Sequence, residues 1–150
     1  MITWQCTPFA QLSTTELYEL LKLRVDVFVV EQTCPYPELD DKDHQDGVQH
    51  LLGYQDNELV ACARLLPAGT TYQHVSIGRI ATKKSARGIG LGHLLLTEAL
   101  DACEALWPKQ TIDIGAQEHL NSFYQSHGFK QISEMYLEDD IPHIDMRLSK

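Results

Sequence analysis

Ile80-Ala81-Thr82-Lys83-Lys84-Ser85-Ala86-Arg87-Gly88-Ile89-Gly90-Leu91-Gly92-His93-Leu94 is the stretch whose reading decides the fold. It passes from the end of a β-branched apolar segment through a short basic loop into a glycine run, and then into apolar residues at helical spacing. That order builds an anion site. Glycines let a backbone approach a ligand closely, and the first N–H groups of a helix have no partner within it and sit at the positive end of its dipole. Lys83, Lys84 and Arg87 gather positive charge in a chain whose net charge is −9. Two nucleotide motifs do not fit. A Walker A loop places Lys and Ser or Thr directly after its last glycine, whereas His93 and Leu94 follow Gly92. The dinucleotide fingerprint separates its second and third glycines by three positions, whereas Gly88, Gly90 and Gly92 fall at steps of two. A glycine-rich turn without a ligand is the plain alternative.

Upstream of this stretch, Val75 to Thr82 reads as a strand, with Ile77 and Ile80 supplying β-branched bulk. Two further apolar runs, Val48 to Tyr54 and Leu59 to Leu66, flank Gln55-Asp56-Asn57-Glu58 and predict a hairpin, because Asp and Asn tolerate the backbone angles of a tight turn. Ile2 to Thr7 predicts a short first strand, and Ser13-Thr14-Thr15-Glu16 has the form of a capping box that opens a helix. Leu17, Leu20, Leu21 and Phe28 continue that helix, while Val25, Val27, Val29 and Val30 blur its end. Downstream, Leu91 to Leu106 predicts a helix closed by Pro108, then Thr111 to Ile114 a strand and Glu118 to His127 a helix stopped at Gly128. Strands over Phe129 to Leu137 and Ile144 to Leu148 complete the chain. A hairpin in the first half and alternation in the second predict an α/β fold with a mixed sheet and helices on its faces.

At 150 residues the chain reads as one domain, 1–150, with 43% apolar and 22% charged residues to supply an ordinary core. The acidic balance, with a pI near 5.1, argues against nucleic acid as a partner. The first residues lack a secretory signal and no apolar run is long enough to span a bilayer, so the expectation is a cytoplasmic protein with no membrane partner. Cys6, Cys34, Cys62 and Cys103 are too scattered for a zinc site or a disulfide frame, so no metal is expected. In the acidic run Glu38 to Asp46, a calcium loop starting at Asp41 would need glycine at Asp46 and a carboxylate at Leu52. The run reads as solvated surface, or as an attractor of cationic amines.

Arg87-Gly88-Ile89-Gly90-Leu91-Gly92 resembles the R-x-x-G-x-G motif of the GNAT N-acetyltransferases, in its place between strand and helix. The resemblance implies the GNAT fold, a twisted, mostly antiparallel mixed sheet of about six to seven strands with about four helices. It implies that the loop, Arg87 to Gly92 with His93, wraps the pyrophosphate of acetyl-CoA, and that Ile80, Ala81 and Thr82 pair with the pantetheine arm. Asn121-Ser122-Phe123-Tyr124-Gln125-Ser126-His127-Gly128-Phe129 is similar to the family's second landmark, which implies that Asn121 contacts the pantetheine and Tyr124 protonates the departing thiolate. A phenol suits that role because it stays protonated at neutral pH; the plain alternative is a core tyrosine. Leu23 to Gln32, Tyr36 to Asp43, Ile77 to Ile80 and Tyr136 to His143 resemble the ElaA-like group over nearly the whole length. Asp140, where glycine is expected, and Lys84, in place of a common proline, are departures.

The activity so implied is transfer of an acetyl group from acetyl-CoA to a small-molecule or peptide amine by direct attack, with a backbone N–H near Ile80 available to the oxyanion. Cys62 or Cys103 as an acyl carrier is disfavoured, since neither has a placed His partner. Glu31, His50, Glu118 and His143 are the candidates for a general base. Arg24, Phe28, Glu31 and His143 are the candidates for acceptor recognition, and a monomer or homodimer is expected. The rival from another class is a CoA-binding sensor without turnover.

Overall fold

The computed structural model describes residues 1–150. The chain opens with strand β1 (Thr3–Pro8) and helix α1 (Thr14–Val25). Ser13 Oγ accepts the Glu16 N–H at 3.0 Å and Glu16 Oε1 accepts the Ser13 N–H at 2.8 Å, which closes the capping box. The valines blur the end of α1 because the helix widens there into a π-type turn over Asp26–Glu31. Strands β2 (Gln49–Gln55) and β3 (Glu58–Leu66) form the hairpin, with Asp56 and Asn57 at φ 51° and 64°. These left-handed values match the twist of the flanking strands.

Strand β4 (Val75–Thr82) runs antiparallel to β3 and carries one residue too many for a regular ladder. Cys62 faces Ala81 while Arg64 faces Gly78, and the excess is absorbed in a bulge where Arg79 takes φ 49°. Helix α2 (Leu91–Leu106) then crosses to strand β5 (Ile112–Gln117), the only strand parallel to its neighbour β4. A short helix α3 (Asn121–Gln125) precedes β6 (Lys130–Gln131), β7 (Tyr136–Glu138) and β8 (Ile141–Leu148). The sheet order is β1-β2-β3-β4-β5-β8-β6, with β7 also pairing to β8.

Strand alternation sorts the core into two layers. Leu51, Ala63, Leu65, Val75, Ile77, Ile112, Ile114, Ile144 and Met146 pack with Leu91, Leu95, Leu96 and Ala99 of α2 on one face. Leu52, Leu59, Cys62 and Ala81 meet Leu20, Leu23 and Val27 of α1 and its π-type turn on the other. The mixed, mostly antiparallel sheet agrees with the sequence reading, and the finer counts are eight strands and three α-helices. The expected strand over Phe129 to Leu137 is two short strands, because Ser133 leaves the ladder and its Oγ accepts the Asp145 N–H at 2.9 Å. The helix expected from Glu118 begins as a 3₁₀ turn over Glu118–Leu120, so only Asn121–Gln125 is α-helical. The departure at Asp140 is accommodated: Asp139 and Asp140 sit at φ 50° and 62° in the turn between β7 and β8. No helix is long and apolar enough to cross a membrane.

Candidate active site

Strands β4 and β5 pair only through Val75 with Ile112 and Ser76 with Asp113. Beyond those pairs the bulge at Arg79 turns β4 away from its partner, and a cleft of about 680 Å³ opens between them. Its walls are Gly78 to Thr82 of β4 and Ile114 to Gln117 of β5; Tyr124 of α3, Phe28 and Glu31 of the π-type turn, and Glu138, Asp139 and His143 of the β7–β8 hairpin also border it. Thus Ile80, Ala81, Thr82, Arg87, Tyr124, Phe28, Glu31 and His143 come together on one cavity.

Gly88 to His93 follow directly on Arg87, which lines this cleft, and are not themselves part of its lining. Gly88 and Gly90 take φ 98° and 78°, a region that L side chains rarely enter, and no other group stands within 4 Å of either position where a Cβ would be. The N–H groups from Gly88 through His93 donate to no backbone carbonyl, and the first helical bond of α2 is Leu94 N–H to Gly90 O at 3.1 Å. The loop therefore fits a diphosphate: it offers amides without a backbone acceptor, left-handed glycines and open space. Arg87 is held beside them, donating to both Glu31 carboxylate oxygens at 2.7 and 2.9 Å and to the Thr82 carbonyl at 2.8 Å. Its hydrogen bonds hold the Glu31 carboxyl below the usual range. His93 is exposed, with Nδ1 2.8 Å from Nε2 of His127.

Tyr124 is 6% exposed, its ring edge-on to Phe123 and Phe129 at 5.1 and 5.9 Å. Burial pushes its phenol up to about 12, and the hydroxyl makes no hydrogen bond within the protein. It is thus protonated at neutral pH and has a free donor facing the cleft. Asn121 does not line the cleft; its Nδ2 is turned to Gln131 Oε1 at 3.4 Å, and its Oδ1 is buried without a partner.

Arg24 is a correction. It is 1% exposed, does not reach the cleft, and donates to Glu38 at 2.6 Å and Asp43 at 2.7 Å. The acidic run is corrected with it. Glu38 and Asp43 are buried, and with Asp40 they pair with Arg24, Arg64 and Arg79; Arg64 bonds Asp40 at 2.8 Å and Asp43 at 3.1 Å, and Arg79 bonds Glu38 at 2.9 Å. Of the run's carboxylates, only Asp41 and Asp46 are exposed. Burial raises Asp40 and Asp43, but the guanidinium hydrogen bonds and charges more than reverse it, so both lie below the usual carboxylate range. The network neutralises itself and fixes the segment that carries Tyr36 and Asp40 into the cleft wall.

Of the candidate bases, His50 is 1% exposed beneath the network, its Nε2 2.9 Å from the Asp43 carbonyl, and Glu118 lies outside the lining. Cys62 and Cys103 are buried thiols pushed up to about 12 by burial, which leaves little thiolate for acyl transfer. Arg79, Gln117, Tyr72 and Glu138 border the cleft without having been singled out in the sequence. The bulge that places Arg79 leaves no local signal, and Gln117 earns its place only through strand register with His143.

The family model described as an acetyltransferase (GNAT) domain matches residues 18–150. Protein ElaA of Escherichia coli (strain K12) is 44% identical over 146 residues, covering 97% of this chain and 95% of that protein. The crystal structure of Escherichia coli ElaA superposes with a TM-score of 0.92 over 98% of this chain and 99% of that one. An acyl-CoA N-acyltransferase from Pseudomonas aeruginosa gives a TM-score of 0.95 at 46% identity, over 99% of this chain and all (100%) of that one. A GNAT family acetyltransferase from Elizabethkingia anophelis with acetyl-CoA bound, 18% identical with a TM-score of 0.69 and covering 99% and 98%, shares the fold. With the model matched over most of its length and a near full-length relative at this identity, the chain belongs to the GNAT acetyltransferase family and is ElaA-like within it.

Proposed function

We propose that this chain transfers an acetyl group from acetyl-CoA to a primary amine by direct attack. The observation that carries the reading is the run of N–H groups from Gly88 to His93 that have no backbone acceptor, next in the chain to Arg87 on the wall of a cleft between parted strands. These amides, with Arg87, would hold the diphosphate, and the unpaired edge of Ile80 to Thr82 would hold the pantetheine amides. Acetyl-CoA supplies an acyl group already activated as a thioester. Phe28 and the β7–β8 hairpin bound the space left for the amine, and Tyr124 directs its hydroxyl at the sulfur as negative charge grows there. The buried thiols leave the ternary route as the chemistry that the cleft supports.

Acetyl-CoA at about a hundredfold excess over its dissociation constant is expected to add about 2.7 kcal/mol of stability, which raises the melting temperature by roughly 5–10 °C. No shift, together with no heat of binding in calorimetry, overturns the reading. Glu31→Gln frees the Arg87 guanidinium and removes a carboxylate beside the diphosphate loop, so CoA is expected to bind roughly two- to fivefold more tightly, the scale of one exposed ion pair. Weaker binding by calorimetry would show that Glu31 positions Arg87 rather than competing for it.

A further inference from the structure

We infer that His143, supported by Glu138, is the general base that takes the proton from the acceptor amine; this rests on the acetyltransferase reading and deepens it. His143 is 8% exposed and borders the same cleft as Tyr124. Its Nδ1 lies 2.8 Å from the Ile141 carbonyl oxygen. A carbonyl only accepts, so Nδ1 carries the hydrogen, and the lone pair of the neutral ring is on Nε2. Glu138 Oε2 stands 3.4 Å from that nitrogen without a hydrogen bond to it, which leaves Nε2 open to accept a proton, and the Tyr136 ring stacks at 6.1 Å. An imidazolium formed there has a carboxylate beside it, the arrangement that stabilises a base once it has taken a proton.

The other candidates are committed elsewhere. Both Glu31 carboxylate oxygens are engaged by Arg87, and those bonds lower its affinity for a proton. His50 is sealed under the arginine network and Glu118 is outside the cleft. The groups facing His143 are Glu138 and Tyr136 of β7, Asp139 of the turn, and the uncharged Gln117 opposite it on β5. On the cavity's further walls, Arg87 is paired with Glu31, and Arg79 with Glu38 and Asp40.

The amine lone pair forms the C–N bond to the thioester carbonyl carbon, and the C–S bond breaks with its electron pair on sulfur. The proton from nitrogen goes to His143 Nε2, the proton on Tyr124 moves toward sulfur, and both side chains re-equilibrate with water.

The test is the pH dependence of kcat/KM at saturating acetyl-CoA, using whichever amine of a panel the wild-type protein acetylates fastest. The wild type is expected to show an acid limb set by one ionisation. His143→Gln is expected to lose about 10²-fold at neutral pH, to lack that limb, and to gain steadily toward high pH, where the amine loses its proton unaided. Glu138→Gln is expected to lose severalfold with the limb retained. His143→Ala is expected to recover activity with added imidazole, a response that a purely structural role does not give. A His143→Gln profile of unchanged shape, or a His143→Ala loss that imidazole does not relieve, overturns the base assignment and leaves the acetyltransferase reading standing. A wild-type chain that binds acetyl-CoA and acetylates no amine overturns both.

Discussion

Replacing Tyr124 by Phe is expected to lower turnover about 10²-fold while acetyl-CoA still raises the melting temperature as it does for the wild type. The substitution removes one oxygen and keeps the ring that packs against Phe123 and Phe129, so fold and cleft shape are preserved. The magnitude follows from the environment. Burial that pushes the phenol up to about 12 keeps it protonated but also makes it a weak acid against a thiol of ordinary pKa, about 8.5. Its contribution is therefore mainly a hydrogen bond to sulfur that strengthens as charge develops, which sets the loss at the low end of general acid effects. Single-turnover and steady-state rates with one amine acceptor measure it. A rate within twofold of wild type would remove Tyr124 from the chemistry.

Arg24→Met is expected to destabilise the protein by about 3–5 kcal/mol, because it leaves Glu38 and Asp43 buried without their central partner. For a chain of this length the melting temperature should fall on the order of 10 °C. The sign of the pH dependence follows from the lowered carboxyls of Asp40 and Asp43. A group whose folded value is depressed contributes stability above its unfolded value, about 3.9 for Asp, and loses it as pH falls through the folded value. The wild type should thus weaken in acid, and the deficit of Arg24→Met should shrink from pH 7 toward pH 4 as the stranded carboxylates take up protons. A melting temperature within 2 °C of wild type at pH 7, or a deficit independent of pH, contradicts a network centred on Arg24; the first bound is about 1 kcal/mol on the same scale.

What could be read along the chain was whatever local chemistry dictates. Asp56-Asn57 announces a two-residue turn because few other residues accept its angles, and Ser13 with Glu16 announces a helix start because the two ends cap each other. The loop from Arg87 to Gly92 was legible for the same reason: unpaired amides and left-handed glycines are properties of a short segment. What escaped was set by distant partners. Arg24 looked like an acceptor contact near a helix end, and the acidic run like surface, because nothing local says that Glu38 and Asp43 fold back 14 and 19 residues onto one guanidinium. The strand expected over Phe129 to Leu137 failed where the Ser133 hydroxyl took over a ladder bond, which apolar patterning does not register. Four bases stood level in the sequence; strand register, one carbonyl and one ion pair separate them.

The parting of β4 and β5 leaves two raw margins in the middle of a continuous sheet. Outer margins of this kind recruit foreign chains and seed aggregation. Here they are walls of a cleft that the π-type turn and the β7–β8 hairpin also border. A slender, amide-bearing guest that paired with both would darn the gap and act as a temporary rung joining the two halves of the molecule.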